Sequence, residues 1–183
     1  MKISKKRSYK IGILGGTFDP PHIGHLKISK LAIKKIKLSK LFWAVTKKNP
    51  FKKSPHFPLK KRVIMSRMKT NKIKKIKVQS FDNLIKSTKT IKLIKHISNK
   101  YSHSKIFFLM GSDNLIKFHK WEKWKEIAKL CTIVVFPRSG YDKETLTSKA
   151  LKTLGRKKIL FIKLKKIDIS SSKLRENYLR YKN

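Results

Sequence analysis

Short apolar runs alternate with longer segments of helical spacing along this chain, and that alternation leaves few folds open. The apolar runs fall at 10–14, 41–45, 73–78, 105–110, 132–136 and 159–164. Between and after them, Leu and Ile recur at helical intervals over 24–36, 59–69, 90–98, 115–130 in pieces, 143–154 and 171–181. Runs of Ile, Leu, Val and Phe without polar alternation read as strands buried on both faces. A helix between successive strands supplies the long crossover that parallel pairing needs. The expected fold is therefore α/β, a doubly wound, Rossmann-like parallel sheet with helices on both faces. At 183 residues the chain fits one domain over 1–183.

In such a sheet ligands bind beyond the carboxyl ends of the strands. Gly15, Gly111 and Pro137 each fall just after an apolar run, which puts their loops on one rim. The richest loop reads Gly15-Gly16-Thr17-Phe18-Asp19-Pro20-Pro21-His22-Ile23-Gly24-His25-Leu26: strand, glycine turn, helix. His22 and His25 stand where the helix should begin, and one turn brings them to the same side. A helix start offers unpaired N–H groups to an anion, and two imidazoles add donors for a phosphate on which charge develops. Gly12, Gly15 and Gly16 lack the spacing of the dinucleotide fingerprint. No Gly-Lys-Ser/Thr follows, so the turn is not a P-loop either.

This stretch resembles the first signature of the nucleotidyltransferase superfamily with a paired-histidine motif. In its Gly-Gly-Thr-Phe-Asp-Pro form it is similar to the nicotinate-nucleotide adenylyltransferases. The second superfamily signature is matched by Ile169-Ser170-Ser171-Ser172-Lys173-Leu174-Arg175, at the other end of the chain. Between them lie further matches: Pro50-Phe51-Lys52, Arg62 with Met65, Gly111-Ser112-Asp113 followed by Trp121, and Phe136-Pro137-Arg138-Ser139-Gly140-Tyr141. Two departures stand out. The family's Tyr-Thr-x-Asp-Thr is here Lys86-Ser87-Thr88-Lys89-Thr90, without the tyrosine and the aspartate, and the chain ends soon after Arg175, where the family usually continues into a helix.

The resemblance implies transfer of the adenylyl group of ATP to nicotinate mononucleotide, giving nicotinate adenine dinucleotide and pyrophosphate. The attacking 5′-phosphate is already ionised, so positioning and electrostatic stabilisation carry the reaction. His22 is the expected main donor in the transition state, and His25 the contact to ATP phosphates or ribose. With Arg175 they form the catalytic set. Gly15, Gly16, Thr17 and Phe18 line the ATP side through backbone N–H groups, with Phe18 either closing the floor or serving the core. Ser171 and Ser172 hold the β- and γ-phosphates or cap a helix. Lys52 completes a cationic clamp. On the acceptor side stand Ser87 and Thr88, Asp113 (ribose acceptor or helix cap), Trp121 (stacked on the pyridine or packed in the core) and Arg138 (phosphate or carboxylate contact). Magnesium is expected to arrive with ATP, with no metal held by the protein. His56, His96, His103 and His119 have no such support and read as ordinary residues.

Charge offers a competing reading. The net charge of +40 would suit a nucleic-acid partner. Yet the charge is nearly all lysine spread along the whole length, which fits solvated faces better than one arginine-rich patch with aromatics. No specific nucleic-acid partner is expected. An RNA-binding protein, and an adenylyltransferase acting on nicotinamide mononucleotide or pantetheine phosphate, are the alternatives. The single cysteine, Cys131, lies in an apolar run and reads as a buried thiol. No stretch has the length of a membrane span or of a signal-peptide core, so a cytoplasmic protein is expected.

Overall fold

Parallel pairing joins six strands in the computed structural model of the chain, which describes residues 9–49, 51, 54–137, 140 and 142–163. In chain order the elements are β1 (Lys10–Gly16), α1 (Ile23–Ile36), β2 (Lys40–Val45), α2 (Leu59–Thr70), β3 (Ile76–Gln79), α3 (Thr90–Lys100) and β4 (Lys105–Gly111). They continue with α4 (Ser112–Phe118), α5 (Trp124–Leu130), β5 (Thr132–Phe136), α6 (Asp142–Thr147), α7 (Lys149–Leu154) and β6 (Ile159–Phe161). The order across the sheet is β3-β2-β1-β4-β5-β6. The chain thus starts in the middle, steps outward through β2 and β3, and returns along α3 to lay β4 against the other side of β1. That reversal between β1 and β4 opens a crevice at the carboxyl edge, the place where doubly wound sheets bind ligands.

Alternate residues of each strand serve opposite faces, as the pleat requires. Ile11, Ile13, Phe42, Ala44, Ile106, Phe108, Met110, Ile133 and Val135 belong to one core, shared with Ile91, Ile94 and Ile97 of α3, Leu115 and Phe118 of α4, and Ile127 of α5. Leu14, Leu41, Trp43, Val45, Phe107, Leu109, Val134 and Phe136 belong to the other, shared with Ala32 and Ile36 of α1 and flanked by Leu59 and Val63 of α2. Helices on both faces follow from two apolar faces that both need cover. Cys131 sits in the first core, where burial pushes its thiol up to about 12.

The expected strands and helices recur with local shifts. β1 runs two residues beyond the expected end: Gly15 and Gly16 pair with Ala44 and Val45, so the glycines end a strand and the turn proper begins at Thr17. β3 starts at Ile76 rather than 73, because 73–75 form a turn closed by Ile76 N–H on the Ile73 carbonyl. The expected helix over 143–154 is two, split at Ser148, whose hydroxyl accepts from Leu151 N–H and starts α7. Position 164 and the expected helix over 171–181 lie outside the described residues.

Candidate active site

Thr17 to Pro21 carry the chain from β1 to α1 through a turn that local preference alone would not choose. Phe18 has a left-handed backbone (φ 49°), which costs a non-glycine residue about 1–2 kcal/mol. Packing fixes it there. The Phe18 ring is buried, stacks on Trp43 at 4.8 Å and lies 4.8 Å from the His25 ring. Its side chain therefore serves as a floor beneath His25 and as core at once. Asp19, also buried, accepts from the backbone N–H groups of His56 and Phe57 at 2.7 and 2.9 Å, tying the turn to the segment before α2.

α1 begins with reciprocal capping by the paired histidines. His22 Nδ1 accepts from Gly24 N–H, and His25 Nδ1 accepts from His22 N–H, both at 3.1 Å. The same arrangement, usually built from Ser and Glu, satisfies helix-start donors pairwise. Its chemical consequence is larger here. A nitrogen that accepts a hydrogen bond carries no proton, so each imidazole keeps its hydrogen on Nε2. Both rings, 3.8 Å apart between centroids, are thereby set as Nε2–H donors. Ser29 Oγ donates to the His25 carbonyl at 2.7 Å and accepts from Trp43 Nε1 at 2.8 Å, which fixes the helix start against β2.

A second device holds the surrounding loops. The buried Arg62 of α2 donates through Nε to the Phe57 carbonyl, through Nη1 to the carbonyls of Thr17 and Thr46, and through Nη2 to that of Lys47. Desolvation draws its pKa below the usual arginine value, opposed by the charges of Asp19 and Asp82. Asp82, after β3, accepts from Thr46 Oγ1 and Lys47 N–H at 2.9 and 2.6 Å. The loops after β1, β2 and β3 and the segment entering α2 thus share one bonded network. Its charges are buried, but the bonds satisfy them.

Beside this network a cavity of about 370 Å³ opens at the carboxyl ends of β1, β2 and β4. Gly15, Gly16 and Phe108 line its inner end, Phe81, Ile85 and Leu93 its apolar side. Lys48, Lys120, Asp82, Lys89 and Glu122 supply its charges. Phe51 and Trp121 also line it, their rings 6.4 Å apart and within 15° of parallel. Both rings offer apolar faces to the cavity, a surface on which a planar ring can stack. Trp121 additionally meets Phe108 and Phe118 edge-on at 6.0 and 5.4 Å. Its cavity role and its core role coexist.

Gly15, Gly16, Thr88 and Trp121, all expected at the site, line this cavity. Thr17, Phe18, His22 and His25 are not lining residues: they form the turn and helix start that follow Gly16 in the chain. Ser87 is not a lining residue: its hydroxyl accepts from Lys89 N–H at 3.1 Å and shapes the loop that presents Thr88. Asp113 stands in the first turn of α4 and is not a lining residue either. Lys52, Arg138, Ser171, Ser172 and Arg175 lie outside the described residues. His56, His96, His103 and His119 do not line the cavity. Sequence reasoning attached no role to Phe51, Asp82, Lys89 or Glu122, and noted Arg62 only as a motif match. Asp82 and Arg62 carry no local signal beyond being polar, since their partners are distant in the chain. Among the described residues no three His, Cys, Asp or Glu side chains converge on a metal position, and no helix is long and apolar enough to cross a membrane.

A parallel sheet with paired histidines capping the first helix at its switch point defines a nucleotidyltransferase, and the cytidylyltransferase-like family model matches residues 13–177. A Pelagibacter ubique protein named "probable nicotinate-nucleotide adenylyltransferase" is 46% identical over 93% of this chain and 94% of its own. One of the same name from Rhizobium johnstonii is 35% identical over 82% of this chain and 75% of its own. The fold is also that of Plasmodium falciparum nicotinic acid mononucleotide adenylyltransferase complexed with NaAD. That structure has a TM-score of 0.71 and 20% identity, covering 92% of this chain and 83% of the other. The chain belongs to the cytidylyltransferase-like family, in its nicotinate-nucleotide adenylyltransferase branch.

Proposed function

We propose that this protein transfers the adenylyl group of ATP to nicotinate mononucleotide, releasing pyrophosphate and nicotinate adenine dinucleotide, a step of NAD synthesis. The observation that carries the reading is the juxtaposition at the sheet's switch point. Two imidazoles fixed as Nε2–H donors head the helix that follows Gly15 and Gly16, and those glycines line a cavity that also bears the near-parallel rings of Phe51 and Trp121. A dinucleotide-forming enzyme needs both halves, phosphate donors on one side and a flat apolar slot on the other.

In this reading the 5′-phosphate oxygen of nicotinate mononucleotide attacks the α-phosphorus of ATP in line. The new O–P bond forms as the bond to the β-phosphate oxygen breaks, and that oxygen leaves with pyrophosphate. Neither step requires a proton to be removed from the nucleophile. His22 donates its Nε2–H to oxygens on the α-phosphate as charge gathers there, and His25 donates to the neighbouring phosphate or ribose oxygen. Because capping holds both rings before substrate arrives, little reorganisation accompanies the reaction. Gly15 and Gly16 let the nucleotide approach the strand end closely. Lys52, Arg175, Ser171 and Ser172 complete the phosphate clamp, and Asp113 and Arg138 belong to acceptor binding. Magnesium enters as part of the ATP complex and neutralises phosphate charge, held by phosphate oxygens and water. A single domain over 1–183 working in the cytoplasm fits this role.

The test is direct. Purified protein is incubated with ATP, magnesium and nicotinate mononucleotide, and products are separated by chromatography. Equal amounts of the dinucleotide and pyrophosphate are expected. Folded protein that makes neither overturns the reading.

A further inference from the structure

Lys89 and Glu122 both line the cavity, from segments distant in the chain. Lys89 immediately precedes α3, and Glu122 follows Trp121 in the segment between α4 and α5. Their side chains meet at 2.6 Å while remaining 56% and 46% exposed. An ion pair so exposed adds little to stability. Its geometric effect is to place one ammonium group in the lining beside Trp121, the residue that precedes Glu122. Lys48 and Lys120 line the same cavity, but the ion pairs among the described residues are Lys89–Glu122 and Lys95–Glu126. Lys89 is thus, among the described residues, the lining lysine held in an ion pair.

We propose that Lys89, braced by Glu122, is a specificity-determining residue that receives the carboxylate on the pyridine ring and so favours the acid over the amide. The inference rests on the adenylyl transfer proposed above. An ammonium has three N–H donors; Glu122 takes one and leaves two for a second carboxylate. With Lys48, Lys89 and Lys120 set against Asp82 and Glu122, the lining keeps a positive balance for that carboxylate. A carboxamide presents neither the charge nor the pair of strong acceptors, so it loses the charge-assisted bonds while keeping the ring stacking.

The experiment compares kcat/KM for nicotinate and nicotinamide mononucleotides in the parent, Lys89→Met and the charge-swapped double variant Lys89→Glu/Glu122→Lys. Lys89→Met is expected to lower the acid-to-amide ratio about tenfold, the scale of one partly exposed charge-assisted hydrogen bond, with KM for ATP unchanged. The swapped variant restores an ion pair between the same two positions and should melt with the parent, yet it should not recover the parent's ratio. An unchanged ratio in Lys89→Met, or a ratio restored by the swap, overturns the proposal, the pair being then only a brace. A parent that forms no dinucleotide from either acceptor overturns the proposed function and this inference together. A parent that turns over while Lys89→Met keeps its ratio overturns this inference alone.

Discussion

His22 and His25 cap one helix end for each other, each Nδ1 accepting a backbone N–H at 3.1 Å. Structure and chemistry are therefore combined in one side chain, and substitutions separate them. Asparagine at 22 can still accept from Gly24 N–H but has no donor where Nε2–H stood. His22→Asn should keep the parent's stability and lose about 100- to 1000-fold in kcat, the scale of one deleted transition-state donor. His22→Ala should lose the same activity and a further ~1 kcal/mol of stability with the cap. Thermal melting beside steady-state kinetics checks both; a His22→Asn enzyme with near-parental kcat would remove His22 from the chemistry.

Arg62 reaches four carbonyls from one guanidinium. Methionine at 62 fills similar space but leaves those carbonyls and the nearby Asp19 and Asp82 without the cation. The expected loss for Arg62→Met is about 3–5 kcal/mol, as for a broken buried charge network. Arg62→Lys should recover only part of it, because a single ammonium cannot span the carbonyls of Thr17, Thr46 and Phe57. Urea denaturation gives the stabilities. An Arg62→Lys variant equal in stability to the parent would show that charge alone, without the fork, holds the loops.

The contrast between these sites explains how much was legible beforehand. Strand and helix order, both faces covered, and the histidine pair at the head of α1 all follow from short-range pattern, because pleat and helix period act over a few residues. The Gly15–Gly16 pair misled on length: glycine suggests a turn, but pairing with Ala44 and Val45 extends the strand. The helix break at Ser148 was hidden because apolar spacing continues across it. Phe51 facing Trp121, Lys89 meeting Glu122, and Arg62 bridging Thr17 and Thr46 join segments distant in the chain. No periodicity in one segment encodes the other. The capping roles of His22 and His25 were equally invisible, since histidine is not among the usual capping residues.

Phe51 and Trp121 make unequal contributions to the fold, and that inequality tests the slot. Trp121 packs against Phe108 and Phe118, whereas Phe51 is 39% exposed. Phe51→Ala should raise the acceptor KM about 3- to 10-fold, the worth of one stacking contact, with ATP binding and melting unaltered. Trp121→Ala should raise the same KM and also lower the melting temperature. An acceptor KM unchanged by Phe51→Ala would mean that the ring does not stack there.

Gly12 and Gly15 lie on the same strand, and alanine should act on them in opposite ways. A Cβ on Gly12 would come within 2.6 and 2.7 Å of Cδ1 of Leu38 and Leu41, both fully buried, so both side-chain ends must shift inside the core. Gly12→Ala should therefore cost about 1–3 kcal/mol by overpacking, with the surviving folded enzyme turning over normally. A Cβ on Gly15 meets only the Phe108 ring at 3.5 Å, an ordinary contact, and the backbone there is not left-handed. Its cost falls on the ligand instead, because Gly15 lines the cavity. Gly15→Ala should match the parent in stability, or exceed it by about 0.4–1 kcal/mol through a stiffer unfolded chain. Its kcat/KM should fall as the methyl group occupies substrate space. Melting curves and kinetics on the two variants decide the matter: a Gly15→Ala enzyme with parental kcat/KM would show that nucleotide does not approach the end of β1.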